Sequence, residues 1–180
     1  MVAVIKVLLS EEAIAQQVRV LAREVSASYS ALVSIARPLV VMPVLKGSLF
    51  FGADLLRQLT IPLRLEFLRA SSYGLGTVSG ALTSEIPDAA LLQDHHLLVV
   101  EDIVDTGQTI FKMVAALEAC HPLSVKVCAL LDKPARRSVP IEADFRGFTI
   151  ADQFVVGYGM DLAERYRELP YIGELEECNF

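Results

Sequence analysis

The sequence predicts an α/β fold with a mainly parallel central sheet flanked by helices. Three apolar runs of strand length occur at residues 39–45, 97–100 and 125–131. Segments with apolar residues at helical spacing lie between them, so strands and helices alternate along the chain. This alternation favours right-handed crossovers between parallel strands, and the runs at 39–45 and 97–100, which contain no polar residue, indicate strands that are covered on both faces.

The other elements are predicted from capping residues and periodicity. Ser10 is a suitable N-cap for a helix whose first turn contains Glu11 and Glu12, and the apolar stripe of that helix comprises Ile14, Val18, Leu21 and Val25. We expect two further helices and one strand, at 48–59, 109–119 and 63–68. The shorter pieces at 143–180, together with residues 1–10, are expected to form a small cap over the carboxyl edge of the sheet.

Composition indicates a single domain over residues 1–180, with a core at about 37–142. A chain of 180 residues that is 53% hydrophobic can bury a sizeable core. The net charge of −6 argues against a broad nucleic-acid-binding face. The start of the chain is apolar except for Lys6 and Ser10, but it lacks the basic beginning and the cleavage site of a signal peptide. Glu11 and Glu12 end it at once, so a membrane anchor is not expected either. The three cysteines (Cys120, Cys128, Cys178) have no ligand-like spacing, so a reducing cytoplasm is the expected location.

The clearest indication of chemistry follows the apolar run at 97–100. Three carboxylates, Glu101, Asp102 and Asp105, come directly before a turn that opens a helix at about Thr109. Backbone N–H groups at a helix N-terminus bind phosphate, whereas carboxylates suit Mg²⁺ or sugar hydroxyls. Ligands of open α/β sheets bind at this edge. A phosphorylated sugar with Mg²⁺ would use both halves of the segment, and a solvated acidic turn would not explain both.

The segment has the residue pattern Glu-Asp, two aliphatic residues, Asp-Thr-Gly, any residue and Thr. This pattern closely resembles the phosphoribosyl pyrophosphate signature of type I phosphoribosyltransferases. Its Asp105 form resembles the hypoxanthine-guanine branch. The resemblance extends from about residue 10 to about residue 175, and it implies the type I phosphoribosyltransferase fold. It also implies that the loop binds the ribose phosphate of the donor through Glu101, Asp102, Asp105, Thr106, Gly107, Gln108 and Thr109.

Two more segments resemble the parts of the family's site that bind pyrophosphate. Leu45, Lys46 and Gly47 resemble the pyrophosphate loop, in which the peptide before the Lys is often cis. Arg167 resembles the family's pyrophosphate-contacting Arg. Without the resemblance, residues 45–47 would be an ordinary strand-to-helix turn.

A lid and a purine pocket are also implied by resemblance. Ser72 and Tyr73, in a glycine-rich stretch, resemble the active-site lid that excludes water. Lys133 resembles the Lys that donates to the exocyclic oxygen of a 6-oxopurine, although a lone Lys after a strand is usually a surface charge. Phe154 resembles the Phe that stacks on the purine, with core packing as the ordinary alternative. The backbone of Val155 would pair with the base, and Asp161 would join Glu101 and Asp102 in binding Mg²⁺.

The implied activity is purine salvage. The 5-phosphoribosyl group would pass from phosphoribosyl pyrophosphate to N9 of hypoxanthine or guanine, with Asp105 as the general base for the N7 proton. Glu101 and Asp102 would hold the ribose hydroxyls directly or through Mg²⁺. Family members self-associate, so a homodimer or homotetramer is expected. Two alternatives stay open: a sister enzyme that prefers xanthine, and an RNA-binding regulator on the same fold, which the net charge disfavours.

Overall fold

A computed structural model describes residues 4–71 and 83–176. The described elements, in chain order, are β1 (Val4–Leu9), α1 (Glu11–Tyr29), β2 (Leu39–Leu45), α2 (Leu49–Gln58), β3 (Leu63–Leu65), β4 (Leu68–Ser71), β5 (Thr83–Glu85), α3 (Ala89–Leu92), β6 (His96–Val104), α4 (Gln108–Glu118), β7 (Ser124–Asp132), a 3₁₀ turn (Pro134–Arg136), β8 (Phe145–Thr149), β9 (Val155–Val156) and β10 (Ile172–Glu176).

The main sheet has the strand order β5-β4-β2-β6-β7-β8, and β3 pairs with β2 beside β4. β2, β6, β7 and β8 are mutually parallel neighbours, β3 and β4 are parallel to β2, and β5 is antiparallel to β4. The prediction of a mainly parallel α/β sheet is therefore confirmed. The carboxyl ends of β2, β6 and β7 lie at one edge, which brings the segments that follow them together.

Helices cover both faces of this sheet. Alternate residues of β2 enter two different core clusters, with Leu39 and Val41 in one and Val40 and Met42 in the other. The first cluster includes the buried stripe of α1, and the second includes the apolar face of α4. The side chain of Ser10 accepts a hydrogen bond from the N–H of Ala13 at 3.3 Å, so the predicted helix start is confirmed.

The structure corrects the predicted strand at 63–68, which is two short strands. β3 pairs with residues 39–41 of β2, and β4 pairs with residues 44–45. Pro43 lies between the two paired stretches. Proline has no N–H to donate, so the ladder on the β3 and β4 side of β2 is interrupted here, whereas the pairing of β2 with β6 includes Pro43.

Two further differences from the predictions are larger than the one-residue shifts at the ends of α2, α4 and β7. The strand expected at 97–100 continues to Val104, because its pairing with β7 extends to Asp132, so Asp102 lies in the strand and not in a loop. Strand β8 pairs in parallel with β7 as an edge strand of the main sheet, so the prediction that all of 143–180 forms the cap is wrong.

The cap itself is a small antiparallel sheet with the order β1-β10-β9. It joins the beginning of the described chain to its end, as the sequence predicts. Val155, Val156 and Ile172 are buried, and Val155 and Ile172 belong to the same core cluster as α1. Cys120 and Cys128 are buried free thiols, and Cys178 lies outside the described residues. None of the described helices is long and apolar enough to cross a membrane.

Candidate active site

Glu101 and Asp102 form an acidic pair near the carboxyl end of β6. Asp102 is 7% exposed and lies against Gly47, and the Oε2 atom of Glu101 is buried without a hydrogen-bond partner. Burial, with the neighbouring Asp102 as a second cause, raises the pKa of Glu101 well above its usual range. Burial also raises the pKa of Asp102. A buried carboxyl oxygen with no protein partner suits a ligand that brings hydroxyl donors or positive charge.

The segment after β6 provides a helix N-terminus for an anion. Gly107 is the N-cap of α4, with a φ of +83° and no side chain to cap the helix. The hydroxyl of Thr106 accepts from the N–H of Gln108 at a long 3.4 Å. The amide groups of the first turn are therefore largely left for a ligand, as the prediction of a phosphate loop requires.

The cations predicted to bind pyrophosphate converge on one carboxylate, that of Glu164. Lys46 Nζ lies 3.2 Å from both oxygens of Glu164, and Arg167 Nη2 lies 3.4 Å from Oε2. Arg167 Nη2 also lies 2.7 Å from Asp161 Oδ1, and its buried Nε has no partner. Lys46 is the main reason that the pKa of Glu164 is lowered. The Leu45–Lys46 peptide is cis.

A turn of the cap packs directly on the pyrophosphate loop. Gly159 has a φ of +104°, and a Cβ there would overlap the backbone carbonyl of Gly47. Arg167 Nη1 donates to the carbonyl of Gly159 at 2.6 Å, and the hydroxyl of Tyr158 donates to Asp54 of α2 at 2.5 Å. Burial and Asp54 raise the pKa of Tyr158. These contacts fix the cap relative to the loop that contains Lys46.

We expect Gly159→Ala to raise the KM for phosphoribosyl pyrophosphate about tenfold, because the new methyl group must displace the Gly47 carbonyl and small displacements at a site are costly. The matched control is Gly157→Ala. Gly157 also has a positive φ, of +98°, but its Cβ would meet the carbonyl of Tyr171. In both variants, backbone strain should lower the free energy of unfolding, measured by urea denaturation, by about 1–2 kcal/mol. An equal change of KM in both would contradict the role of the Gly159–Gly47 contact.

A cavity of about 210 Å³ lies beside the acidic pair. Lys133 is only 6% exposed, and its Nζ donates to the carbonyl of Gln153 at 2.7 Å, so it is not a surface charge. Phe154 is 54% exposed at the cavity, so the core-packing alternative is wrong. The cavity is lined by Asp102, Ile103, Asp105, Lys133, Phe154, Val155, Met160 and Asp161.

The predicted site residues are thus brought to one edge of the sheet, with the exception of the predicted lid: Ser72 and Tyr73 lie outside the described residues. Within the described part of the chain, no three His, Cys, Asp or Glu side chains form a metal-binding group. Glu101 and Asp102 are adjacent, whereas Asp161 is paired with Arg167 at 2.7 Å and accepts from the N–H of Glu164 at 2.8 Å.

Sequence reasoning missed the segment that follows Lys133. The N–H of Lys133 donates to the carbonyl of Val104, and the N–H of Ser138 donates to that of Thr106, both at 3.0 Å. Arg137 Nη1 donates to the carbonyl of Asp105 at 2.5 Å. The segment that begins with Lys133, the candidate purine-binding residue, is therefore hydrogen-bonded to the candidate phosphate loop. The only available signal was an Arg-Arg pair, residues 136–137, a few positions after the strand end at the ligand edge.

Comparison with known proteins agrees with this geometry. Residues 5–163 match the phosphoribosyl transferase domain. The hypoxanthine-guanine phosphoribosyltransferase of Bacillus subtilis (strain 168) is 42% identical over 172 residues, which are 95% of this chain and 93% of that protein. The hypoxanthine phosphoribosyltransferase of Escherichia coli (strain K12) is 38% identical over 178 residues, with 95% of each chain covered. A crystal structure of the Trypanosoma cruzi hypoxanthine phosphoribosyltransferase superposes with a TM-score of 0.86 at 37% identity, covering 95% of this chain and 96% of that one.

Some relatives are longer. The bifunctional protein TilS/HprT of Listeria innocua is 46% identical over 172 residues, and the chain spans 26% of its length. The fold and the site define a phosphoribosyl transferase domain. The chain belongs to the phosphoribosyltransferase family and, within it, to the hypoxanthine-guanine phosphoribosyltransferases.

Proposed function

We propose that the chain transfers the 5-phosphoribosyl group of phosphoribosyl pyrophosphate to N9 of hypoxanthine or guanine, giving IMP or GMP and pyrophosphate in purine salvage. The observation that supports this most strongly is the shared cavity of a buried Lys133, an exposed Phe154 and the carboxylate of Asp105. An ammonium, an aromatic face and a proton acceptor are the three groups that a 6-oxopurine requires.

The donor binds through three parts of the site. The first turn of α4, from Thr106 to Thr109, takes the 5′-phosphate through backbone N–H groups and hydroxyls. Glu101 and Asp102 accept hydrogen bonds from the ribose hydroxyls. Lys46 and Arg167, with the amide of Gly47, take the pyrophosphate, and Glu164 must move aside because its carboxylate pairs with both cations.

The carboxylates of the site also suit Mg²⁺, which enzymes of this family generally use with phosphoribosyl pyrophosphate. Glu101 has a buried oxygen without a partner, and Mg²⁺ is commonly bound by one or two carboxylates together with substrate oxygens. We therefore assign Mg²⁺ to Glu101 and Asp102, with Asp161 as a further ligand once Arg167 turns to the pyrophosphate. Bound Mg²⁺ would neutralise charge on the departing pyrophosphate.

The purine binds on the other side of C1′. Its ring stacks on Phe154, its exocyclic oxygen accepts from Lys133 Nζ, and its pyrimidine edge pairs with the backbone of Val155. The bond between N9 and C1′ forms as the bond from C1′ to the pyrophosphate oxygen breaks. Asp105 takes the proton from N7, so the product purine is neutral. The lid, with Ser72 and Tyr73, excludes water from the ribosyl centre.

Further parts of the proposal concern the whole protein. Residues 1–180 form one catalytic domain that acts in the cytoplasm and self-associates as a homodimer or homotetramer. A xanthine-preferring enzyme is the alternative that differs least, since it would need only a different contact at the 2-position, near Val155 and Asp161. An RNA-binding role has no support in a chain with a net charge of −6.

A direct test incubates the protein with phosphoribosyl pyrophosphate, Mg²⁺ and hypoxanthine, guanine or xanthine in separate reactions, and the nucleotide is identified by mass. We expect IMP and GMP, each with one pyrophosphate released per nucleotide. Formation of XMP alone would establish the xanthine alternative, and the absence of all three nucleotides would contradict the proposed function.

Glu164→Gln should lower the KM for phosphoribosyl pyrophosphate, because the neutral side chain competes less for Lys46 and Arg167. The ion pair of Glu164 with Lys46 is exposed, and such pairs contribute about 0.2–1 kcal/mol, so the decrease should be about 1.5- to 5-fold. Glu168→Gln, at an exposed position of the same segment, controls for the change of net charge. Steady-state kinetics with saturating hypoxanthine provide the measurement. A KM that rises in Glu164→Gln would show that Glu164 supports donor binding.

A further inference from the structure

Arg136 bridges two carboxylates at the edge of the cavity, those of Asp105 and Asp152. Asp105 is the proposed general base, and Asp152 lies beside Lys133, which is proposed to bind the exocyclic oxygen of the purine. Arg136 Nε donates to Asp105 Oδ1 at 2.8 Å, and Nη1 donates to the two oxygens of Asp152 at 3.2 and 3.1 Å. Asp152 Oδ1 lies 4.0 Å from Lys133 Nζ. Hydrogen bonds to Asp152 and Asp105 raise the pKa of Arg136, so the guanidinium stays charged.

The backbone on both sides of this contact is also fixed. Arg136 ends the 3₁₀ turn Pro134–Arg136, and its N–H donates to the carbonyl of Lys133 at 3.0 Å. The next residue, Arg137, donates to the carbonyl of Asp105 at 2.5 Å and pairs with the buried Asp132. Arg137 therefore fixes the backbone of Asp105, while Arg136 contacts its side chain.

The contact uses only one oxygen of Asp105. In the part of the chain that the structure describes, Oδ1 accepts from Arg136 and Oδ2 accepts no hydrogen bond. A carboxylate at the start of a loop can otherwise rotate about χ1 and χ2 among several orientations. A guanidinium whose other end is held by Asp152 selects one of them, because its planar fork binds two carboxylates in a fixed relative geometry.

We propose that Arg136 is a positioning residue of the transfer reaction: it holds Oδ1 of Asp105 so that Oδ2 faces N7 of the purine, and Asp152 holds the guanidinium in place. This inference rests on the proposed function, in which Asp105 is the general base. Arg136 does not contact the reacting atoms itself. It acts through Asp105, so its contribution should be present only while Asp105 can accept a proton.

Steady-state kinetics of four variants test this proposal with hypoxanthine as substrate. Arg136→Gln should lower kcat about tenfold with the KM for phosphoribosyl pyrophosphate unchanged, because a misdirected base affects the transition state and not donor binding. Arg136→Lys keeps the charge but not the fork, so its loss should be smaller than that of Arg136→Gln. Asp152→Asn should also lower kcat, because Asp152 holds the guanidinium of Arg136 in place. Arg19→Gln, at an exposed position of α1, is the charge-matched control and should leave kcat unchanged.

The deciding measurement combines Arg136→Gln with Asp105→Asn. If Arg136 acts through Asp105, the double variant has the same kcat as Asp105→Asn alone, because no base is left to position. A further tenfold loss in the double variant, or an unchanged kcat in Arg136→Gln, would overturn the proposal. Failure of the proposed function is recognised separately, since the unmodified protein would then form no nucleotide from hypoxanthine.

Discussion

Asp105→Asn is expected to lower kcat with hypoxanthine by about 10²- to 10⁴-fold, the usual contribution of a positioned general base. The side chain of Asn keeps the size of the carboxylate and one accepting oxygen, but its NH₂ group only donates and it cannot take up the N7 proton. Donor binding should persist, because the 5′-phosphate and pyrophosphate are held by other residues. Equilibrium binding of phosphoribosyl pyrophosphate and single-turnover kinetics separate the two effects.

Glu118→Gln is the matched control for this loss. Glu118 ends α4 and is exposed, so its replacement removes one carboxylate without touching the cavity. Full turnover by Asp105→Asn would remove Asp105 as the base. A loss of donor binding equal to the loss of kcat would assign Asp105 to the ribose and not to the purine.

Lys133→Met should have the second large effect, on the choice of purine. An ammonium can donate to the exocyclic oxygen of hypoxanthine, but the amino group of adenine at the same position is itself a donor. Loss of a hydrogen bond to a charged group costs about 1.5–3 kcal/mol, so kcat/KM for hypoxanthine should fall about 10- to 150-fold. The activity on adenine should not fall with it, because adenine makes no favourable contact with the ammonium.

The control for Lys133→Met is Lys112→Met, at an exposed position of α4. Because Lys133 is buried and bonded to Gln153, the far-ultraviolet circular dichroism and the donor affinity of Lys133→Met must first match those of the unmodified protein. An equal loss of kcat/KM with hypoxanthine and with adenine in a folded variant would contradict the proposed hydrogen bond from Lys133 to the exocyclic oxygen.

Those parts of the fold that depend on local pattern were predictable from sequence. Ser10 and the apolar stripe predict where α1 begins and which face of it is buried. The apolar run of β2 predicts its observed bounds, Leu39–Leu45. The break between β3 and β4 was not predictable from their own residues, since it depends on Pro43 of the neighbouring strand. The extension of β6 to Val104 likewise depends on pairing with β7.

The candidate site shows the same division. The motif around Asp105 was recognisable because its residues are contiguous, and Lys133 and Phe154 were found only through resemblance. Glu164 has no sequence signal of its own, and Arg136 has only its place in the Arg-Arg pair, because each acts through a long-range pairing, Glu164 with Lys46 and Arg136 with Asp105. Such pairings arise when the topology brings strand ends and the cap together, so only the folded chain reveals them.

Transfer of a phosphoribosyl group to a 6-oxopurine, with rejection of a 6-aminopurine, is the activity that we propose for this site. The most direct measurement is the ratio of kcat/KM for hypoxanthine to kcat/KM for adenine, with phosphoribosyl pyrophosphate and Mg²⁺ saturating. A site that hydrogen-bonds one group of its substrate discriminates by about 10⁴-fold or more, so we expect a ratio of at least that size. A ratio near one, or activity on adenine alone, would contradict the proposed specificity for 6-oxopurines.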